Sequence, residues 1–220
     1  MELNRFLDQT LLLPGATEND IERLCLEAIA YHFCAVVVNP VFIPLVSDRL
    51  KGSGVKACSV AGFPLGANRT ETKVVEACRA VEDGAEEIDV VANIGRLAAG
   101  RFAEATKELQ AIRRALPESV ILKVIIETPV LGPEFWADAV KAVVDSGADF
   151  VKTATGFFGV TPVDHVVRLV EYAGGRIKVK AAGGIRTADK AQAMISAGAA
   201  RIGSSSSVAI VTDSGDNAEK

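Results

Sequence analysis

Three lysines and an aspartate stand where charged side chains are least expected. Lys152 lies inside the apolar run 150–153, Lys123 inside 120–126, Lys180 inside 177–181 and Asp89 inside 87–91. A charge in a strand flanked by apolar residues is costly to bury unless it is paired or hydrogen-bonded. Two chemistries fit this pattern. The groups can form an internal ion-pair network that fixes the register of a sheet. Alternatively, one lysine, with Lys152 of FVKTATG the candidate, is a neutral amine kept dry, able to add to a carbonyl and form a Schiff base.

A second set of residues suggests an anionic ligand. Gly183-Gly184-Ile185-Arg186 follows Lys180, and Gly203-Ser204-Ser205-Ser206 follows the last strand-like run. Loops of this kind present backbone N–H groups, with a helix N-terminus behind them, to a phosphate. Tight turns also use glycine for conformation alone. Metal chemistry has little to stand on. Cys25, Cys34, Cys58 and Cys78 form no C-x-x-C pair, and His32 and His165 have no ligand spacing, so no metal site is expected. The four thiols are expected to be free in a reducing cytosol.

The elements that must position these residues alternate regularly. Strand patterns are predicted at 6–11, 35–38, 56–60, 87–91, 120–126, 150–153, 177–181 and 200–203, each separated from the next by a helical pattern. Thr17 and Asp20 have capping-box spacing, Thr70 and Thr187 read as N-caps, and Pro133 and Pro162 stand at helix starts. Strands alternating with helices imply right-handed crossovers and a parallel sheet. Eight such units predict an α/β fold of the (β/α)8 TIM-barrel type, a single domain over residues 1–211 with a flexible polar tail at 212–220. The rival, an open doubly wound sheet, is weakened because no G-x-G-x-x-G follows an early strand. In a barrel, the late ends of the strands surround the site, so Asp89, Lys123, Lys152 and Lys180 would converge on one mouth. The glycine loops would then follow strands seven and eight, where many barrels hold phosphate.

Composition narrows the partners. The chain has 220 residues, 49% hydrophobic and 24% charged, enough for a substantial core. A net charge of −4 argues against nucleic acid or an anionic membrane as the main partner. No apolar stretch reaches transmembrane length, and the opening MELNRFLDQT lacks a signal-peptide pattern, so a cytoplasmic location is expected.

The stretches EIDVVANIG, LKVIIETPVL, ADFVKTATGF, VKAAGGIRT and RIGSSSSVAI, in this order, closely resemble the deoxyribose-phosphate aldolase family, over nearly the whole chain. That resemblance implies a (β/α)8 barrel and reversible, cofactor-free cleavage of 2-deoxy-D-ribose 5-phosphate to D-glyceraldehyde 3-phosphate and acetaldehyde. It implies that Lys152 forms the Schiff base, and that Lys180 and Asp89 assist proton transfer. Gly156, Gly183, Gly184, Arg186, Gly203, Ser205 and Ser206 would hold the phosphate, and Asp8, Lys123 and Thr155 would support the site. Lys123 would balance Asp89 or Glu127. A homodimer is the association the resemblance implies, with Phe135 and Trp136 a candidate surface or part of the core. The chain departs from the family pattern at Gln9, where histidine is common, at Val37, where cysteine is common, and in the short apolar loop 157–160. It also lacks a C-terminal tyrosine, so tail-assisted proton exchange is not expected. On the residues alone, a related phosphosugar aldolase or isomerase and a non-catalytic phosphosugar-binding barrel remain open.

Overall fold

In the computed structural model, which describes residues 2–216, eight parallel strands close into a barrel in sequence order. They are β1 (Leu7–Leu11), β2 (Ala35–Val38), β3 (Lys56–Ala61), β4 (Glu87–Val91), β5 (Ile121–Ile125), β6 (Phe150–Lys152), β7 (Lys178–Ala182) and β8 (Arg201–Ser204). Around them lie α1 (Glu18–Ala30), α2 (Ile43–Leu50), α3 (Thr70–Glu82), α4 (Ile94–Ala98), α5 (Phe102–Ala115), α6 (Trp136–Asp145), α7 (Val163–Ala173), α8 (Ala188–Ser196) and α9 (Ser207–Asp216). Closure is completed by β8 pairing with β1, with Asp8 opposite Gly203. A closed sheet has no exposed edge, so every strand can be short and still be paired on both sides.

Local sequence explains most boundaries. Thr17 and Asp20 form the reciprocal capping box ahead of α1, and Thr187 accepts the Lys190 N–H to cap α8. β2 reads AVVV and is buried at every position, as a strand must be when one face meets helices and the other the barrel interior. The principal core lies between sheet and helices. It includes Val36, Val38, Ile88, Val90, Leu122, Val124, Val151 and Ile202 from the strands. A smaller apolar cluster, Leu12, Ala35, Val37, Cys58 and Val60, fills the β2–β3 side of the barrel interior.

Local structure departs from the expected pattern at some element ends. Thr70 does not cap α3: Arg69 occupies the N-cap without a side-chain bond, and the Thr70 hydroxyl instead donates to Glu108 at 3.2 Å. The short helix α4, capped by the Asn93 side chain, was not predicted, because five residues carry too little apolar periodicity. The helix α9, whose Ile210 is buried, runs to Asp216; residues 217–220 of the expected tail lie outside the described residues. Trp136 is 3% exposed, and its indole N–H donates to the Leu131 carbonyl. It is therefore a core residue rather than an association surface.

Candidate active site

Strand register delivers the charged residues to one place. Asp89 is paired in register with Lys123 on β5, Lys152 with Lys180 on β7, and Lys180 with Arg201 on β8. Side chains alternate along a strand, so inward-facing positions recur every second residue. Glu87 and Asp89 on β4 therefore share the inward face, and neighbouring strands add Lys123, Lys152, Lys180, Arg201 and Asp8.

Asp89 is the hub. One carboxylate oxygen, Oδ2, accepts from Lys152 Nζ and from Lys180 Nζ, each at 2.7 Å, while Oδ1 accepts from Lys123 Nζ at 2.9 Å. Below this layer, Lys180 also reaches Asp8 at 2.6 Å and Lys123 reaches Glu87 at 2.6 Å. Arg201 closes the circuit, with contacts of 2.5 Å to Asp8 and 3.0 Å to Glu87. The connected set contains four cations and three carboxylates, so it is balanced when one cation gives up its proton.

The environment selects which cation that is. Burial pushes the Lys152 ammonium below the ordinary lysine range, opposed by Asp89 but reinforced by repulsion from Lys180. Lys180 is equally buried, yet Asp8 and Asp89 outweigh that burial and hold it above the ordinary range. Lys123 is held well above it, with burial overcome chiefly by Asp89. Although Asp89 is fully buried, Lys123, Lys152 and Lys180 together hold its carboxyl well below the usual carboxylate range. Asp8 is likewise lowered against its burial, by Lys180 and Arg201. Lys152 is thus the lysine of the network whose protonated form is disfavoured.

Lys152 is also the network lysine that opens onto a cavity. A depression of about 340 Å³ at the C-terminal mouth is lined by Lys152, Thr10, Leu13, Thr155, Gly156 and Phe157 on one side. Gly183, Gly184, Arg186, Gly203, Ser204 and Ser205 complete it. Gly184 has φ +71°, and an added Cβ would stand 2.5 Å from Val160 Cγ1, so only glycine fits this turn. Ser206 stands outside the lining, its N–H donated to Ser204 Oγ at 2.9 Å. Among the described residues, no group of three or more His, Cys, Asp or Glu side chains is placed to hold a metal ion.

Comparison with known proteins gives this arrangement a family. Residues 5–212 match the model of the DeoC/LacD family of aldolases. The chain belongs to that family. This aldolase is 50% identical over 213 residues to the deoxyribose-phosphate aldolase of Deinococcus radiodurans, covering 96% of each chain. It is 47% identical over 214 residues to that of Treponema denticola, covering 96% of this chain and 99% of the relative. Among solved structures, one described as "QR15, an Aldolase" superposes with a TM-score of 0.93 at 41% identity, over 98% of this chain and 97% of that one. A deoxyribose phosphate aldolase from Aeropyrum pernix, described as a unique tetramer, gives 0.90 at 36% identity over 98% and 92%.

Other positions of the aldolase differ from expectation or were not anticipated. Lys123 pairs with Asp89 and Glu87, not with Glu127. Gln9 faces away from the charged interior and donates to Glu27 at 2.8 Å, while Val37 packs in the apolar interior cluster. Thr155 lines the cavity, and its hydroxyl accepts the Phe157 N–H at 3.2 Å. Phe157 meets Phe63 edge to face, with centroids 5.3 Å apart, so the short loop 157–160 contributes an apolar wall. Arg201, Glu87 and Glu127 were not singled out as site residues. For Glu87 the usable signal was parity, since it stands two residues before Asp89 on the inward face; Glu127, at positive φ beyond the end of β5, lies outside that alternation. No helix among the described residues is long and apolar enough to cross a membrane.

Proposed function

We propose that this aldolase reversibly cleaves 2-deoxy-D-ribose 5-phosphate to D-glyceraldehyde 3-phosphate and acetaldehyde through a Schiff base on Lys152. The observation that supports this reading is that, among the described residues, Lys152 alone joins the Asp89 hub to the cavity, while its ammonium is disfavoured by burial and by Lys180. A neutral Nζ adds to the C1 aldehyde of the open-chain sugar, and the carbinolamine then loses water to give an iminium. Lys180, kept protonated by Asp8 and Asp89, supplies the proton for the departing hydroxyl, and Asp89 keeps both lysines in place. The Lys180–Asp89 pair, left one proton short by that dehydration, takes the C3 hydroxyl proton through a water as the C2–C3 bond breaks. Its electron pair moves through C2 to the iminium nitrogen, forming an enamine and releasing D-glyceraldehyde 3-phosphate. The same pair returns that proton to C2, and addition of water to the resulting iminium releases acetaldehyde and neutral Lys152, with the leftover proton going back to Lys180.

The phosphate end fits the other half of the cavity, where Gly183, Gly184, Gly203 and Ser205 offer backbone groups and Arg186 a charge. Ser206 joins this set through the turn it forms with Ser204. Asp8, Lys123 and Thr155 act as supports: the first two balance Lys180 and Asp89, and Thr155 shapes the wall. The reaction calls for no cofactor. A homodimer in the cytoplasm, with one barrel domain per chain, is part of the same proposal.

Borohydride added with acetaldehyde should fix an ethyl group on Lys152, detectable by mass mapping, and Lys152→Ala should lose both adduct and cleavage activity. An adduct on a different lysine, or activity retained by Lys152→Ala, would end this assignment.

A further inference from the structure

One buried titratable group has no place in the mechanism above. Glu127 follows β5 and is 1% exposed. Burial pushes its carboxyl above the ordinary glutamate range. Among the described residues its oxygens form no ion pair; they accept from the Thr155 N–H, at 3.3 and 3.1 Å, interact with the Thr155 side chain, and feel the Lys152 charge from a distance. Its backbone is also unusual. Glu127 and His32 are the non-glycine residues with positive φ among those described, both at +54°. His32 is explained by the end of α1, where it and Phe33 donate to the Ile29 and Ala28 carbonyls. Glu127 lies beyond the end of β5 and opens a turn, its carbonyl accepting the Val130 and Leu131 N–H groups at 2.9 Å each, and a β-region residue there would aim its side chain elsewhere. Holding a glutamate in the left-handed region is unfavourable, and such conformations persist where the surroundings require them.

What this conformation achieves is a latch. The β5–β6 ladder continues past the strands, through Ile126 N–H to the Lys152 carbonyl and Thr128 N–H to the Thr153 carbonyl. Between those two bonds, the Glu127 side chain reaches across to the Thr155 N–H, past the end of β6. Thr155 passes the constraint on, since its hydroxyl takes the Phe157 N–H and Phe157 rests against Phe63. Thr155, Gly156 and Phe157 all line the cavity that Lys152 opens onto. Glu127 itself does not line that cavity and touches no reacting atom.

We infer that Glu127 is a positioning residue for the aldol reaction: its buried carboxylate fixes the wall Thr155–Gly156–Phe157 against Lys152, and so determines how the phosphosugar is seated. This inference rests on the proposed function. It predicts that losing the latch weakens sugar binding more than amine chemistry, because Lys152 is held separately by the Asp89 hub.

Three variants test it, read by steady-state cleavage of 2-deoxyribose 5-phosphate and by borohydride trapping with acetaldehyde. Glu127→Gly suits the backbone and removes the acceptor. Glu127→Asp keeps the charge and tolerates positive φ but is one methylene too short to reach. Glu127→Gln keeps the reach and one acceptor oxygen. The expected result is a KM raised about tenfold in the Gly and Asp variants, with kcat changed less, and largely restored in Gln. Trapping at Lys152 persists in all three. A KM within about twofold of the parent in folded Gly or Asp variants overturns the inference, as does a Gln variant no better than Gly. Should the parent itself fail to trap acetaldehyde, the Schiff-base reading fails instead.

Discussion

Replacing Lys180 with methionine isolates the electrostatic basis of the Lys152 assignment. Both lysine nitrogens lie 2.7 Å from the same Asp89 oxygen, so they stand within about twice that distance of each other. Two like charges about 5 Å apart repel by about 3 kcal/mol at an effective dielectric of about 20. Lys180→Met removes that repulsion and leaves Asp89, and Asp8 behind it, free to favour the protonated form of Lys152. Each 1.4 kcal/mol corresponds to about a tenfold change, so the acid dissociation of the Lys152 ammonium weakens about a hundredfold. The acid limb of kcat/KM should move to higher pH, and part of the lost rate should return in alkaline buffer. Initial rates of acetaldehyde trapping across a pH series read the same titration without the sugar. A thermal melt confirms folding, since Asp8 retains Arg201 as its partner. A deficit equally deep at every pH, or an acid limb that moves to lower pH, would refute the argument that Lys180 keeps Lys152 neutral.

Two further outcomes concern stability. Gly184→Ala places a Cβ 2.5 Å from Val160 Cγ1 at φ +71°, so urea denaturation should show a loss of about 2 kcal/mol; an unchanged midpoint would contradict the packing described. Asp8 and Asp89 are both held below the ordinary carboxylate range, so their ionised forms stabilise the fold above their unfolded-state pKa of about 4. That contribution is lost as pH falls through the folded-state values. The melting temperature should therefore decline below about pH 4, and constancy down to about pH 2 would count against the ion network.

The barrel was legible because periodicity is a local property. The predicted strands at 35–38 and 87–91 coincide with β2 and β4, and the rest are displaced by a residue or two. The convergence of Lys123, Lys152, Lys180 and Asp89 followed from placing each on a strand and closing the sheet. Pairings across long separations were not legible. Asp8 meets Arg201, and Lys73 on α3 forms a buried pair at 2.7 Å with Glu108 on α5. Nothing near either member in the sequence indicates the other, since only closure of the barrel and packing of its helices bring them together. Glu127 escaped notice for a different reason. Its role depends on a backbone conformation that glutamate does not favour, and residue propensity points away from it. The Thr70 correction is similar: its hydroxyl had a capping position available and a buried carboxylate within reach, and the latter won.

The contact between Asp8 and Arg201 joins the first strand to the last. A nascent chain lacking its eighth strand would therefore leave Asp8 without its guanidinium partner and the seam between first and last strands unmade. Each partial chain also lacks the balance of charge that disfavours the proton on Lys152. The charge balance around Lys152, the proposed nucleophile, is thus a property of the finished circle, complete only once the eighth strand docks.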